Sequence, residues 1–329
     1  MNDNDPHLFH RIKGQKSILA LLVSDAKIHA GTQGGDLLVW SLTTFELLHS
    51  IHAHRGSLLG FCLSADKRLL FSSGGDAIVN VWCTESFRRL YSIYSRYDIG
   101  DVFCVSYSSD LETVYLGSQN TSLQWYHLSD RDRKPAPDPA AHPFSRNHRF
   151  FDSKGPTGVV SSTPRPLSAS ELRALGGRDL EIDKEHTIQY AHYGYVYCTL
   201  LAKGLSCSSS SSSNKHGGSE CLISGGGDGV VKVWPLDAVD GAVVAHPICL
   251  ENGDDSILTI ALDGTLLYSG RLEGDVNVWD LDTRQLIRRV KACTGDVLTL
   301  AVGHDLIFCG DARGTAKVGG PAPQSIDLH

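Results

Sequence analysis

Five times this chain writes a turn of small residues followed by a strand that closes on Val-Trp or a counterpart, and that recurrence constrains the fold more than any other feature. The copies are Gly31-Thr32-Gln33-Gly34 to Val39-Trp40, Ser72-Ser73-Gly74-Gly75-Asp76 to Val81-Trp82, Gly117-Ser118-Gln119-Asn120 to Trp125-Tyr126, Ser224-Gly225-Gly226-Gly227-Asp228 to Val233-Trp234, and Ser269-Gly270-Arg271-Leu272-Glu273 to Val278-Trp279. A sixth, Cys309-Gly310-Asp311 to Lys317-Val318, reaches Gly319 where a Trp would fall. Successive closing positions (Trp40, Trp82, Tyr126, Trp234, Trp279, Gly319) lie 42, 44, 108, 45 and 40 residues apart. Units of this length are supersecondary modules that bury their faces only by packing on their neighbours.

The period and the motif are those of WD repeats. Each unit reads as four antiparallel strands, and the inner ones, such as Ile18-Leu19-Ala20-Leu21-Leu22-Val23 and Val102-Phe103-Cys104-Val105, have the apolar density of strands buried on both faces. The expected fold is all-β: a WD-repeat β-propeller over residues 8–319 with six recognisable blades, the last incomplete. Either Leu8-Phe9-His10-Arg11-Ile12 supplies the outer strand missing from blade six, or the body is an open part of a seven-bladed ring. Residues 320–329 read as a disordered tail.

Two units carry the full polar set that ties a WD blade together: His54, Ser72, Asp76 and Trp82, and His192, Ser224, Asp228 and Trp234. A buried turn Asp needs partners, and His, Ser and an indole N–H can supply a relay. From His to Trp the sets span 28 and 42 residues, and the Ser-rich stretch Ser206–Gly218 accounts for the difference. Elsewhere Gly34, Asn120, Glu273 and Arg313 stand in the place of the Asp, and Tyr126 in that of a Trp.

The long spacing marks an interruption. Seven of the twelve prolines fall between 135 and 166, which is hostile to a strand ladder. Residues 129–185 are therefore expected as an insertion between the third and fourth strands of blade three, with the blade resuming at Thr187-Ile188-Gln189-Tyr190. A Ser-rich loop, 203–219, falls between the first and second strands of blade four. Connections of these two kinds leave a propeller on the same face, so both excursions are expected side by side there, where binding usually resides. The candidate partner-binding residues are Phe150, Phe151, Asp152, Gly155 and Pro156.

Composition removes several classes. A net charge of −7 argues against nucleic acid, whose phosphates call for clustered Lys and Arg. Nine cysteines without a C-x-x-C pair give a zinc site little support and read as free thiols in a reducing compartment. The first residues lack the order of a signal peptide, and no apolar run approaches the roughly 20 residues of a membrane helix. A cytoplasmic location is expected. The glycine run 225–227 lacks the Lys-Ser/Thr end of a phosphate loop and leads into a strand. His52 and His54 could pair on a metal, and His148 and Asp152 could share a proton, but both pairs read more simply as structural or solvated groups. There is no G-x-S-x-G elbow.

Several segments go beyond the general repeat: Asp98-Ile99-Gly100-Asp101-Val102-Phe103, Leu111-Glu112-Thr113-Val114, Arg149-Phe150-Phe151-Asp152-Ser153 with Gly155-Pro156-Thr157-Gly158, and Ile188-Gln189-Tyr190-Ala191-His192. They resemble the amino-terminal WD-repeat region of the fungal di- and tripeptidase subunits that degrade glutathione, over most of residues 8–310. The resemblance implies a cytosolic complex in which such a subunit and a glutamine-amidotransferase-like partner split the γ-glutamyl bond. In that family a zinc-dependent metallopeptidase domain follows the propeller, and its metal signature begins with His-x-Asp. None of the fifteen histidines here has Asp two residues on, so no catalytic or zinc-binding residue is carried over. The expectation is a non-catalytic interaction scaffold without cofactor or metal, zinc belonging to the missing domain. The rival expectations are a fragment of a zinc-dependent peptidase and a generic WD-repeat adaptor.

Overall fold

The computed structural model describes residues 16–146, 166–204, 220–251, 255–303, 306–314 and 316–319, and its strands form six sheets arranged as the blades of a propeller. Blade one comprises β1 (Ile18–Ser24), β2 (Lys27–Thr32), β3 (Asp36–Ser41) and β4 (Leu47–His52). Blade two has β5 (Leu58–Leu63), β6 (Leu69–Gly74), β7 (Ile78–Cys83), β8 (Arg89–Ser95) and, from far along the chain, β12 (Arg178–Ile182). Blade three has β9 (Val102–Ser108), β10 (Thr113–Ser118), β11 (Leu123–His127) and the short β13 (Thr187–Ile188). Blade four runs through β14 (Val196–Lys203), β15 (Glu220–Gly226), β16 (Val230–Pro235) and β17 (Ile248–Glu251). Blade five has β18 (Ile257–Asp263), β19 (Leu266–Arg271), β20 (Asp275–Asp280) and β21 (Gln285–Lys291). Blade six holds β22 (Val297–Gly303), β23 (Leu306–Asp311) and β24 (Ala316–Gly319), with no fourth strand among the described residues.

One local device repeats in all six sheets. The register between the first and second strands slips after the opening residue: Ile18, Leu58, Val102, Val196, Ile257 or Val297. Such a bulge re-aims the side chain beside it. At four of the five joints the opening residue of the following blade then enters a space left by a glycine in the blade before; at the joint of blades two and three Ser73 stands in the place of that glycine. A Cβ on Gly117 would fall 2.5 Å from Val196, one on Gly225 2.5 Å from Ile257, and one on Gly270 2.7 Å from Val297; Gly31 meets Leu58 in the same way. These joints set the radial packing, and the knobs are almost wholly buried, at 0–1% exposure.

The ends of the series carry unmatched halves of that joint. Ile18, the opening residue of blade one, is 38% exposed, and among the described residues the space beside Gly310 is bounded only by Thr299 of its own blade. Inner strands of consecutive blades pack from β1 through β5, β9, β14 and β18 to β22. Among the described residues no comparable packing joins β22 to β1.

Part of the insertion is built into the propeller. β12 pairs with β8 in parallel, from Arg178 beside Tyr91 to Ile182 beside Ser95, so blade two is five-stranded. Leu180 and Ile182 enter the core between blades two and three with Val79, Ile93, Val114 and Tyr126. A short helix, α1 (Ala169–Ala174), precedes β12; the Ser168 hydroxyl accepts the Glu171 N–H, and the Glu171 carboxylate accepts the Ser168 N–H in return. β13 then pairs with only Leu123 and Gln124 of β11.

The common-face expectation needs correction. The exits of both excursions do adjoin the β9–β10 turn: Leu128 N–H donates to the Glu112 carbonyl, and Lys203 Nζ lies 2.5 Å from Asp110. The insertion does not stay there. Arg146 Nη2 donates to the carbonyls of Ser95 (2.5 Å) and Arg96 (2.8 Å) at the far end of β8. The segment thus climbs the outer side of the propeller, because the unpaired edge of β8 offers a ladder to β12. Phe150, Phe151, Asp152, Gly155 and Pro156, the pair His148 and Asp152, the loop 205–219 and the tail 320–329 lie outside the described residues.

Candidate functional site

The relay residues meet in the two blades that carry the full set. In blade two, His54 Nδ1 lies 2.9 Å from Asp76 Oδ1, His54 Nε2 lies 2.8 Å from Ser72 Oγ, and Trp82 Nε1 donates to the same Oγ at 2.9 Å. In blade four the corresponding distances are 2.9 Å for His192 to Asp228, 2.7 Å for His192 to Ser224, and 2.8 Å for Trp234 to Ser224. One proton arrangement satisfies every group: Nδ1–H donates to the carboxylate, the Ser hydroxyl donates to Nε2, and the indole N–H donates to the Ser oxygen.

Asp, His and Ser in this order are also the parts of a hydrolytic triad, and the surroundings decide against that use. Ser224 and His192 are fully buried, and the Ser oxygen already accepts from an indole. A nucleophile must reach a carbonyl carbon with a free lone pair. Burial holds the His192 imidazole below its usual pKa, against the opposing pull of the Asp228 carboxylate. Burial also pushes the Asp228 carboxyl up, but the His192 hydrogen bond and charge and the N–H groups of Tyr193 and Val230 outweigh it and bring the value to about 2. This carboxylate pins the turn between β15 and β16 to the strand entry at His192.

The remaining blades keep fragments. In blade five Trp279 Nε1 still donates to Ser269 Oγ at 3.1 Å, but Arg271 occupies the position of Gly226 and lies 3.4 Å from Asp255. A Cβ on Gly74 would fall 2.5 Å from His54 Nδ1, so glycine is required where the His fills that space. Leu116 replaces the relay Ser in blade three, and Cys309 replaces it in blade six. His52 and His54 do not converge: His52 Nδ1 bonds Asp36 at 3.0 Å, whereas His54 faces Asp76. Among the described residues no group of three or more His, Cys, Asp or Glu side chains is placed to hold a metal ion.

The docked insertion is held by charge as well as by Leu180 and Ile182. Arg178 donates to Asp132 (2.9 Å) and to the Lys134 carbonyl (3.0 Å), Arg96 pairs with Glu181 (2.9 Å), and Lys134 pairs with Asp183. His142 packs edge-on against Tyr94, and the Arg55 guanidinium lies 4.8 Å from the Phe144 ring centre. The sequence reading missed β12 and α1. Both had signals: Asp179-Leu180-Glu181-Ile182 alternates with period two, and Ser168-x-x-Glu171 is a capping box.

A model described as "WD domain, G-beta repeat" matches residues 45–83, which run from the turn before β4 to the end of β7 and include His54, Ser72, Asp76 and Trp82. The chain belongs to the WD-repeat propellers. It is 32% identical over 341 residues to the probable di- and tripeptidase DUG2 of Saccharomyces cerevisiae, a match covering 93% of this chain and 38% of that protein. It is also 33% identical to human WD repeat-containing protein 3 over 32% of this chain and 12% of that one. The pre-rRNA-processing protein crb3/ipi3 of Schizosaccharomyces pombe is 24% identical over 79% of this chain and 54% of its own length. The chain thus spans 38% of the yeast peptidase it resembles. WD-repeat propellers are typically non-catalytic and generally mediate protein–protein contact.

Proposed function

We propose that this chain is a non-catalytic interaction scaffold, the propeller part of a cytoplasmic peptidase assembly that cleaves the γ-glutamyl bond of glutathione. The match to the yeast di- and tripeptidase carries this reading: over nearly the whole chain, 93% of it, the identity is 32%, against 21% for a kinesin-like WD-repeat relative matched over 92%. The assigned partner is a glutamine-amidotransferase-like subunit, and the assigned contact surface is the insertion, the segment that departs from the repeat and is braced against blade two. Loops on a rigid scaffold commonly carry binding.

Co-purification tests the reading. The purified chain is expected to retain the amidotransferase-like subunit of its own source and to release no amino acids from a dipeptide when zinc is added. Failure to retain the subunit, or turnover by the chain alone, would overturn it.

A further inference from the structure

Each joint between blades buries one face of each sheet, and the two end blades keep a face that has no joint. Three residues after the opening residue of a blade, Val105, Ile260 and Leu300 turn toward the preceding blade and are 6–9% exposed. Leu21 holds that place in blade one, paired with Ala30 as Ile260 is with Ser269, and is 68% exposed. On the opposite face, Phe71, Tyr115, Ile223 and Tyr268 turn toward the following blade and are buried, whereas Phe308 of blade six is 42% exposed. Its cross-strand partner Val318 is 56% exposed, although Val81, Trp125, Val233 and Val278 are buried in the same place. Single apolar side chains at a surface need no account, but these form two contiguous patches at positions buried elsewhere in the series. With the exposed Ile18 and the open side of Gly310, they are the two halves of a blade-to-blade contact.

The size of the repeat restricts what fits them. One blade takes 40–45 residues where the spacing is uninterrupted, while 15 residues precede Lys16 and 10 follow Gly319, enough for a strand at either end and not for a sheet. A second copy does not fit either. Its inner blades have both faces covered and its end blades have one free face each, so no blade of it meets both patches. Two copies joined end to end would double the ring, beyond the roughly four to eight blades that such packing closes.

We infer that the space between blade six and blade one is a docking site for one four-stranded blade donated by another polypeptide. The existing joints state its chemistry: a Val, Ile or Leu at its strand opening, seated beside Gly310, and a glycine in its second strand to receive Ile18. Its two faces are apolar, to cover Phe308 and Val318 on one side and Leu21 on the other. The inference does not rest on the peptidase assembly assigned above, and its test uses no other subunit.

A labelled peptide of residues 255–293 is the probe, because blade five carries both halves of the joint in Ile257 and Gly270. Fluorescence anisotropy with the full chain is expected to show saturable one-to-one binding. Leu21→Asp or Val318→Asp in the chain, both at exposed positions, should weaken it roughly tenfold or more with the chain still folded, as should Gly270→Leu in the peptide. If the peptide does not stay in solution, the same stretch appended after His329 decides: the melting temperature should rise by about 5 °C or more, and Leu21→Asp should remove the rise. Absence of binding by the soluble peptide, equal binding by the variants, or no rise in the appended form would overturn the inference. So would sedimentation that shows the chain alone as a dimer dissolved by Leu21→Asp, since a second copy would then hold these faces.

Discussion

Gly225 of blade four and Ile257 of blade five are cut to fit each other: a Cβ on the glycine would fall 2.5 Å from Ile257 Cγ2 and 2.7 Å from Cys198 Sγ. The contact joins two blades and recurs at Gly117 with Val196 and at Gly270 with Val297. Gly225→Ala is therefore expected to destabilise by about 1–3 kcal/mol, the range for overpacking a filled core. Gly303→Ala, which meets nothing within 4 Å among the described residues, should stay within about 0.5 kcal/mol of wild type. Denaturant midpoints of the two variants check this.

The relay offers a second comparison. Ser224→Ala strips a partner from both His192 and Trp234, two buried groups, and should cost roughly 2–4 kcal/mol. Ser269→Ala removes the partner of Trp279 alone and should cost about 1–2 kcal/mol. Equal losses in urea unfolding would mean that the His adds nothing.

Acid should weaken the protein in two stages. Burial holds His142, and likewise His29, at a pKa of about 4, so the unfolded chain takes up those protons first; their contribution is present above about pH 6.5 and is lost as pH falls toward 4. Asp228 titrates at about 2 in the folded protein, so its contribution persists down to about pH 4 and is lost on further acidification. His142→Gln should flatten the first stage in part, and Asp228→Asn should flatten the second, in midpoints measured against pH.

The fifth strand should be separable from the rest. Leu180 is buried in the core between blades two and three, and Leu180→Ala is expected to loosen β12 by about 2–4 kcal/mol. Amide exchange should speed up at Asp179 to Ile182 while β6 and β7 keep their protection. Uniform loss across blade two would show that β12 is integral to that sheet.

Much of this was legible beforehand because the repeat is a packing unit. Trp82 and Trp234 sit where the period places them, and their Ser, His and Asp partners follow from the spacing, since each set must close one turn on one strand entry. Gly319 likewise stands at the Trp position, paired with Ile307 as Trp82 is with Leu70. The insertion was harder. Its prolines concealed a five-residue strand whose partner, β8, lies some ninety residues earlier, and parallel pairing over such a distance leaves no local signature beyond alternation. The ion pair of Arg96 with Glu181 was invisible for the same reason, since the two meet only because β12 returns to blade two.

The central claim is that the insertion, braced on blade two, presents the partner surface of a scaffold. Hydrogen exchange of the chain with and without saturating amidotransferase-like subunit tests it most directly. Slower exchange concentrated in residues 128–146 and 178–188 is the predicted result. Protection confined to blades four to six, or none at all, would contradict it.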